Sequence, residues 1–356
     1  MHNLRIYTLI MLLLAFTVIS LGAYTRLKDA GLGCPDWPGC YGQWTIPTGE
    51  DAVKNSSPHY SSHALDTIKA SAEMVHRYAA STLGLLILIN AIMVFKSSSE
   101  LLHRQRPLSL LLVAVVIAQG MLGKFTVTLQ LNPIIVVTHL AGGLTTLSLI
   151  FVLLLQRWFP AQAETNRAFS KINTAGIICL AILVFQILLG GWVSSNYAAR
   201  ICPEFPICTD QWWQEFNLQQ TFQLPLTATG NFEYAPHLDA SAKISIHMLH
   251  RIGALLTAIA LASYYFMQWR MAGRFKFIRL LACAGLIILS TQILLGISNV
   301  LFDLPLPVAT LHNAFAALNL LTLLSVNFAH AQKEINRGKH FVRNVTDINT
   351  PARTLA

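Results

Sequence analysis

Apolar residues along this chain gather into eight long runs, near 6–25, 74–95, 108–128, 135–156, 173–194, 244–268, 278–299 and 308–330. Each is long enough to cross a hydrocarbon core of ~30 Å, which takes ~20 helical residues. Helix is the expected state, because backbone in lipid must satisfy its own N–H and C=O groups. Two polar stretches, about 26–72 and 195–243, form long loops between the runs. The pattern predicts an all-α integral membrane protein with eight transmembrane helices. Composition agrees: 54% of the 356 residues are hydrophobic and 12% charged, against about a quarter charged in a soluble domain. A water-soluble enzyme is excluded. The first run follows Met1–Arg5 like a signal peptide, but it exceeds the usual ~7–15-residue apolar region. It also has a counterpart later in the chain, so it is read as a retained helix. No Arg/Ser-rich transit peptide precedes it, which fits a bacterial inner membrane.

The net charge of +9 raises the question of an acidic partner, and the positions of the charges answer it. With a cytoplasmic N-terminus, the cytoplasmic segments hold Arg5; Lys96, Arg104 and Arg106; Arg157, Arg167 and Lys171; Arg270, Arg274, Lys276 and Arg279; and Lys333, Arg337, Lys339, Arg343 and Arg353. These are 16 of the 25 basic residues, in short segments beside helix ends. The excess is an orientation signal. It predicts both termini in the cytoplasm, the two long loops on the other side, and no nucleic-acid partner.

The chain repeats itself. Gly22 to Cys40 reads GAYTRLKDAGLGCPDWPGC, and Gly190 to Cys208 reads GGWVSSNYAARICPEFPIC. EMVHR (Glu73 to Arg77) matches HMLHR (His247 to Arg251), QGMLG (from Gln119) matches QILLG (from Gln292), and THLAGGL (from Thr138) matches LHNAFAAL (from Leu311). His76 to His139 is 63 residues and His250 to His312 is 62. The expected organisation is two tandem four-helix bundles, 1–160 and 161–332, followed by a cytoplasmic tail, 333–356. Both bundles have the same membrane orientation, so a pseudo-twofold axis would lie along the membrane normal. One titratable position breaks the match: Glu73 stands where the second copy has His247.

Four histidines, His76, His139, His250 and His312, fall at the outer ends of helices 2, 4, 6 and 8. A single membrane histidine is commonly a packing residue, but ionisable groups in repeat-matched positions mark function. Two histidines from facing helices suit a six-coordinate haem iron. Zinc usually takes four protein ligands, or three and an open position, and only Glu73 or His247 offers a third. Nearby Ala79, Ala80, Gly84, Gly142, Gly143, Gly253 and Ala254 would admit a flat macrocycle or serve helix packing. Arg77 and Arg251 read either as salt-bridge partners of haem propionates or as snorkelling interfacial cations. Glu73 shares a helix face with His76. It reads as a group for proton transfer or for stabilising a developing cation, or as a first-turn helix cap.

Cys34/Cys40 and Cys202/Cys208 lie in the two outward loops, where an oxidising compartment would allow disulfides. Each pair is a structural clasp or a redox-active, lid-positioning bridge. Cys179 and Cys283 read as inert buried thiols, and His59, His63 and His237 as loop residues without a ligand role.

With these residues assembled, the chain resembles the haem A synthase family of bacterial and mitochondrial membranes. The likeness is carried by TRLKDAGLGCPDWPGC (Thr25 to Cys40), EMVHR, THLAGG, the second HxxHR and LHN. It implies oxidation of the C8 methyl of haem O to a formyl group, through hydroxylated intermediates, with the oxygen coming from water. By position, His76 and His139 would hold the haem O substrate and haem A product in the N-terminal half. His250 and His312 would ligate haem b in the C-terminal half, and Glu73 would be the essential acidic residue. Members can lack the first cysteine pair, which this chain keeps. Implied partners are a haem O synthase, a terminal-oxidase assembly pathway and a membrane electron acceptor, and a homo-oligomer is compatible. The competing readings are a di-haem b-type electron-transfer cytochrome and a haem transporter or chaperone.

Overall fold

A computed structural model describes residues 2–46, 65–159, 174–208, 210–222, 238–273 and 275–348, with side chains of the last helix up to Ala329. Eight long helices occupy the eight apolar runs: α1 (His2–Leu27), α2 (Thr67–Lys96), α3 (Glu100–Thr128), α4 (Pro133–Trp158), α5 (Thr174–Ser195), α6 (Ala240–Met271), α7 (Lys276–Leu301) and α8 (Leu306–Ile348). A one-turn helix, Leu218–Thr221, lies in the second long loop, and no strand occurs among the described residues. All eight are long and apolar enough to cross a membrane. They leave much of their apolar surface facing outward, as on α2, where Leu85, Leu88, Ile92 and Phe95 are exposed while Leu83, Ile87 and Val94 are buried. Exposing such a surface to water costs ~25 cal/mol per Å². The chain is a multi-pass membrane protein.

The helices α1, α2, α3 and α4 pack as a closed ring, each against the next and α4 against α1, and α5 to α8 do the same. The rings meet where α1 packs on α8 and α4 packs on α5 and α8. One apolar core runs through both, including Met11, Leu144, Leu147, Leu183, Leu320 and Leu323.

The helices α2 and α6, which carry His76 and His250, start before their apolar runs. The Asp66 carboxylate caps α2 by accepting from Ile68 and Lys69 N–H groups, which satisfies donors the helix leaves open. His76 therefore lies about two and a half turns inside α2, and His250 sits similarly deep in α6. Thr67, Lys69, Ser71 and Glu73 interrupt the apolar positions of this stretch, so hydropathy alone hides that extension. At the N-terminus of α4, the Asn132 side chain accepts from the Ile134 N–H and Pro133 opens the helix.

Arg157 departs from the picture of a loop charge. It is fully buried at the end of the first ring remote from the long loops. There it donates to Thr8 Oγ1 of α1, to Asn90 Oδ1 of α2 at 2.7 Å and to Gln105 Oε1 of α3 at 3.1 Å. The Arg5 side chain adds a bond to the Arg157 carbonyl at 2.8 Å.

At the loop end the halves are latched. Arg26 of α1 donates to the Ser194 carbonyl at 2.6 Å and stacks 4.1 Å from the Tyr197 ring. Tyr197 in turn donates to Asp29 at 2.9 Å. Burial pushes the Tyr197 phenol above its ordinary pKa, so it stays a donor.

Candidate functional site

The loop after α1 is closed by Cys34–Cys40, and the loop after α5 by Cys202–Cys208. All four cysteines are buried. The first loop seats on α2 through Cys34, Cys40, Tyr41, Ala70 and Met74. The second seats on α6 through Cys202, Cys208, Ile244 and Met248. Gly33 permits the first contact: a Cβ there would stand 2.6 Å from the Lys69 carbonyl carbon, so backbone lies on backbone.

Glu73 is 4% exposed and faces this loop. Its Oε2 accepts from the Cys34 backbone N–H at 2.9 Å, and its Oε1 from Arg77 Nη2 at 2.5 Å. The same guanidinium donates through Nη1 to the carbonyls of Asp36 (3.0 Å), Pro38 (3.3 Å) and Gly39 (2.6 Å). The second half repeats the clamp. Arg251 donates to the carbonyls of Glu204 (2.7 Å), Pro206 (3.2 Å) and Cys202 (2.7 Å). In place of Glu73 it has His247, whose Nδ1 lies 2.9 Å from the Ala198 carbonyl. One half thus holds a carboxylate against the disulfide loop and the other an imidazole.

The four histidines point inward as two pairs. His76 and His139 lie close enough to interact electrostatically, as do His250 and His312. Each ring rests against a glycine of the preceding helix. A Cβ at Gly22 would meet the His76 ring at 2.9 Å, one at Gly190 the His250 ring at 3.0 Å, and one at Gly296 the His312 ring at 3.0 Å. Gly123 stands 3.6 Å from His139 in the same sense. These glycines all belong to the repeated motifs, which is the signal that would have revealed their role. The Nδ1 atoms of His76, His139 and His312 are buried without a hydrogen bond.

In the second half, His250 and His312 line a cavity of about 1210 Å³ together with Arg251, Trp212, Ala254 and Arg26. That exceeds the ~300–1,000 Å³ of ordinary small-molecule pockets. Among the described residues, no three His, Cys, Asp or Glu side chains come together as a metal site. A pair of buried histidines over a large, mostly apolar cavity fits a planar group ligated from two sides.

Several other expected residues are placed differently. Gly142 and Gly253 have no room for a ligand face, because a Cβ there would lie 1.8 Å from Gln119 Nε2 and 2.3 Å from Gln186 Oε1 respectively. Gly84 faces open space. Cys179 is buried, its thiol 3.7 Å from the Ala260 carbonyl, whereas Cys283 is only half-buried. His59, His63 and His237 lie outside the described residues.

Comparison with known proteins gives the family. The COX15-CtaA family, described as cytochrome oxidase assembly protein, matches residues 5–324. A Shewanella oneidensis protein named heme A synthase is 40% identical over 90% of this chain and 95% of its own length. Proteins of the same name from Neorickettsia sennetsu (27% identical, over 89% of this chain and 95% of theirs) and Paracoccus denitrificans (28%, over 92% and 88%) also align. With a match across nearly its whole length, the chain belongs to the COX15-CtaA family of cytochrome oxidase assembly proteins.

Proposed function

We propose that this protein is a haem A synthase, an oxidoreductase that converts the C8 methyl of haem O to the formyl group of haem A for terminal-oxidase assembly. The observation that carries the reading is the position of Glu73. It is the one carboxylate in the repeated His-Arg motifs, held against the disulfide loop in the same half as His76 and His139. Relatives that align along nearly the whole chain and carry the name heme A synthase support it.

The N-terminal half, 1–160, would bind the substrate through His76 and His139. The C-terminal half, 161–332, would hold haem b through His250 and His312, and 333–356 would be a tail. The matched ring packing and matched arginine clamps support two bundles related by a pseudo-twofold axis along the membrane normal. Charge placement supports a bacterial inner membrane with both termini cytoplasmic and both cysteine loops outside.

Bound haem b supplies a one-electron redox centre able to pass electrons from the substrate half to a membrane acceptor. The chain's own groups do the rest. The glycine contacts fix the imidazole planes of His76, His250 and His312 against a helix. Glu73 accepts from the Cys34 and Gly33 backbone and from Arg77, and a lone pair left over would take a water or face positive charge developing on the methyl carbon. Such a carboxylate orients the attacking water and takes its proton. Arg77 and Arg251 keep the loops closed over the two sites, and their remaining donors are available to propionates. Haem O would come from a haem O synthase.

The test is pigment extraction from membranes that express the protein together with a haem O source. Glu73→Gln should retain haem and yield no haem A. Haem A at the parental rate in that variant would overturn the role of Glu73, and haem b as the sole pigment in the parent would overturn the synthase reading.

A further inference from the structure

Three of the four paired histidines have a bare Nδ1, and His250 does not. Gln186 of α5 places its amide nitrogen 2.9 Å from His250 Nδ1 and 2.9 Å from the His250 carbonyl. It fits because residue 253, one turn along α6, is glycine: a Cβ there would lie 2.3 Å from Gln186 Oε1. The Gln186 side chain is almost wholly buried and lines the large cavity.

The repeat supplies the control. Gly22 aligns with Gly190, which puts Val18 opposite Gln186, and His76 aligns with His250, which puts Ala79 opposite Gly253. The first half thus has no amide at this place and no gap to hold one. There the His76 ring has the Val18 backbone as its hydrogen-bonding neighbour, and its Nδ1 has no partner.

A hydrogen bond to the far ring nitrogen fixes the plane and tautomer of a metal-bound histidine, and losing such a partner typically costs about 10–100-fold in metal affinity. As placed, the amide nitrogen donates to the His250 carbonyl and to a bare Nδ1; for iron on Nε2 the amide turns end for end, giving up the carbonyl bond so that its oxygen accepts from Nδ1–H. We propose that Gln186, seated by Gly253, is a positioning residue that orients His250 and retains the haem of the second half, and that Val18 and Ala79 leave the first half free to exchange its haem. The inference rests on the reading that His250 is a haem ligand.

The experiment uses full-length protein with His76→Ala, purified in detergent from cells lacking a haem O source, so that the second site reports. The readouts are the midpoint potential of the bound haem, its low-temperature electron paramagnetic resonance spectrum and the rate of haem transfer to apomyoglobin. Gln186→Val should transfer haem at least about tenfold faster and raise the midpoint, because the ligand loses basicity without an acceptor. Gln186→Glu, a stronger acceptor, should lower the midpoint and slow or preserve transfer. The reverse graft, Val18→Gln with Ala79→Gly in the parental chain, should slow transfer from the first site, and it stands as a test if Gln186→Val fails to accumulate. Parental values in both Gln186 variants, or shifts of the same sign in both, would overturn the proposal. A His250→Ala protein that keeps its haem with an unchanged spectrum would instead sink the ligand assignment beneath it.

Discussion

The backbone N–H of Cys34 donates to Glu73 Oε2 at 2.9 Å, so the one carboxylate of the repeated motif is tied to the first residue of a disulfide ring. His247, in the matching place, hangs on the Ala198 carbonyl, which lies before the second ring begins. Opening the two rings should therefore have unequal effects. Replacing Cys34 and Cys40 by serine is expected to lower haem A formation about tenfold, equivalent to ~1.4 kcal/mol on the barrier, with haem content retained. The same change at Cys202 and Cys208 should lower it less. Pigment ratios per bound haem in the two double variants check this, and equal losses would show that Glu73 does not depend on its loop.

Arg77 and Arg251 make the same clamp on their loops, but only Arg77 also neutralises a buried carboxylate. Removing one partner of a buried pair strands a charge and costs about 3–5 kcal/mol. Losing hydrogen bonds to neutral carbonyls costs about 1–3 kcal/mol. Arg77→Ala is thus expected to lower thermal stability in detergent more than Arg251→Ala. The double variant Arg77→Ala with Glu73→Gln should recover part of the difference, because no stranded charge remains. Melting curves of the four proteins give the comparison directly.

Much of this was legible from residue order. The eight helices follow from runs of apolar residues that lipid requires to be helical, and the histidine pairs stand out because so few polar groups interrupt those runs. The starts of α2 and α6 were not legible, since polar residues interrupt their first turns, which are held by a cap on α2 and by loop packing rather than by lipid. Arg157 counted as an orientation charge, because sequence shows its place beside a helix end but not that Thr8, Asn90 and Gln105 from three other helices converge on it. The partners of Arg77 and Arg251 were hidden for a similar reason: backbone carbonyls have no sequence signature. Gln186 and Gly253 form a pair only once α5 and α6 pack, and a difference of that kind between repeats is read as drift until the contact is seen.

The glycines beside the histidines allow a graded test. A Cβ at Gly22, Gly190 or Gly296 would approach an imidazole to 2.9–3.0 Å, whereas one at Gly123 would sit at 3.6 Å, ordinary contact. Forcing an extra methyl into such a site typically costs about 1–3 kcal/mol, and here the ring is the part that can turn. Alanine at Gly22, Gly190 or Gly296 is expected to broaden or shift the haem absorption bands and to lower haem content. Gly123→Ala should resemble the parent. Optical spectra of the four purified variants decide the matter, and a Gly123→Ala effect as large as the others would refute the contact argument.

Arg157 separates assembly from chemistry. It lies 18 residues beyond His139 on α4, about 27 Å along the helix, and it joins α4 to α1, α2 and α3. Its guanidinium meets only neutral acceptors among the described residues, so its role there is to satisfy Thr8, Asn90 and Gln105 at once. Arg157→Met keeps much of the volume and strands Asn90 Oδ1 and Gln105 Oε1, at about 1–3 kcal/mol each, while Thr8 keeps its bond to the Leu4 carbonyl; relief of the buried charge offsets part of that. The expected result is a lower yield of folded protein and a lower midpoint of heat-induced aggregation in detergent. Haem A formed per folded chain should stay at the parental value, because nothing in the contact set of Arg157 reaches the histidines or Glu73. A fall in turnover per folded chain larger than the fall in yield would mean that the far end of the first ring is coupled to its site.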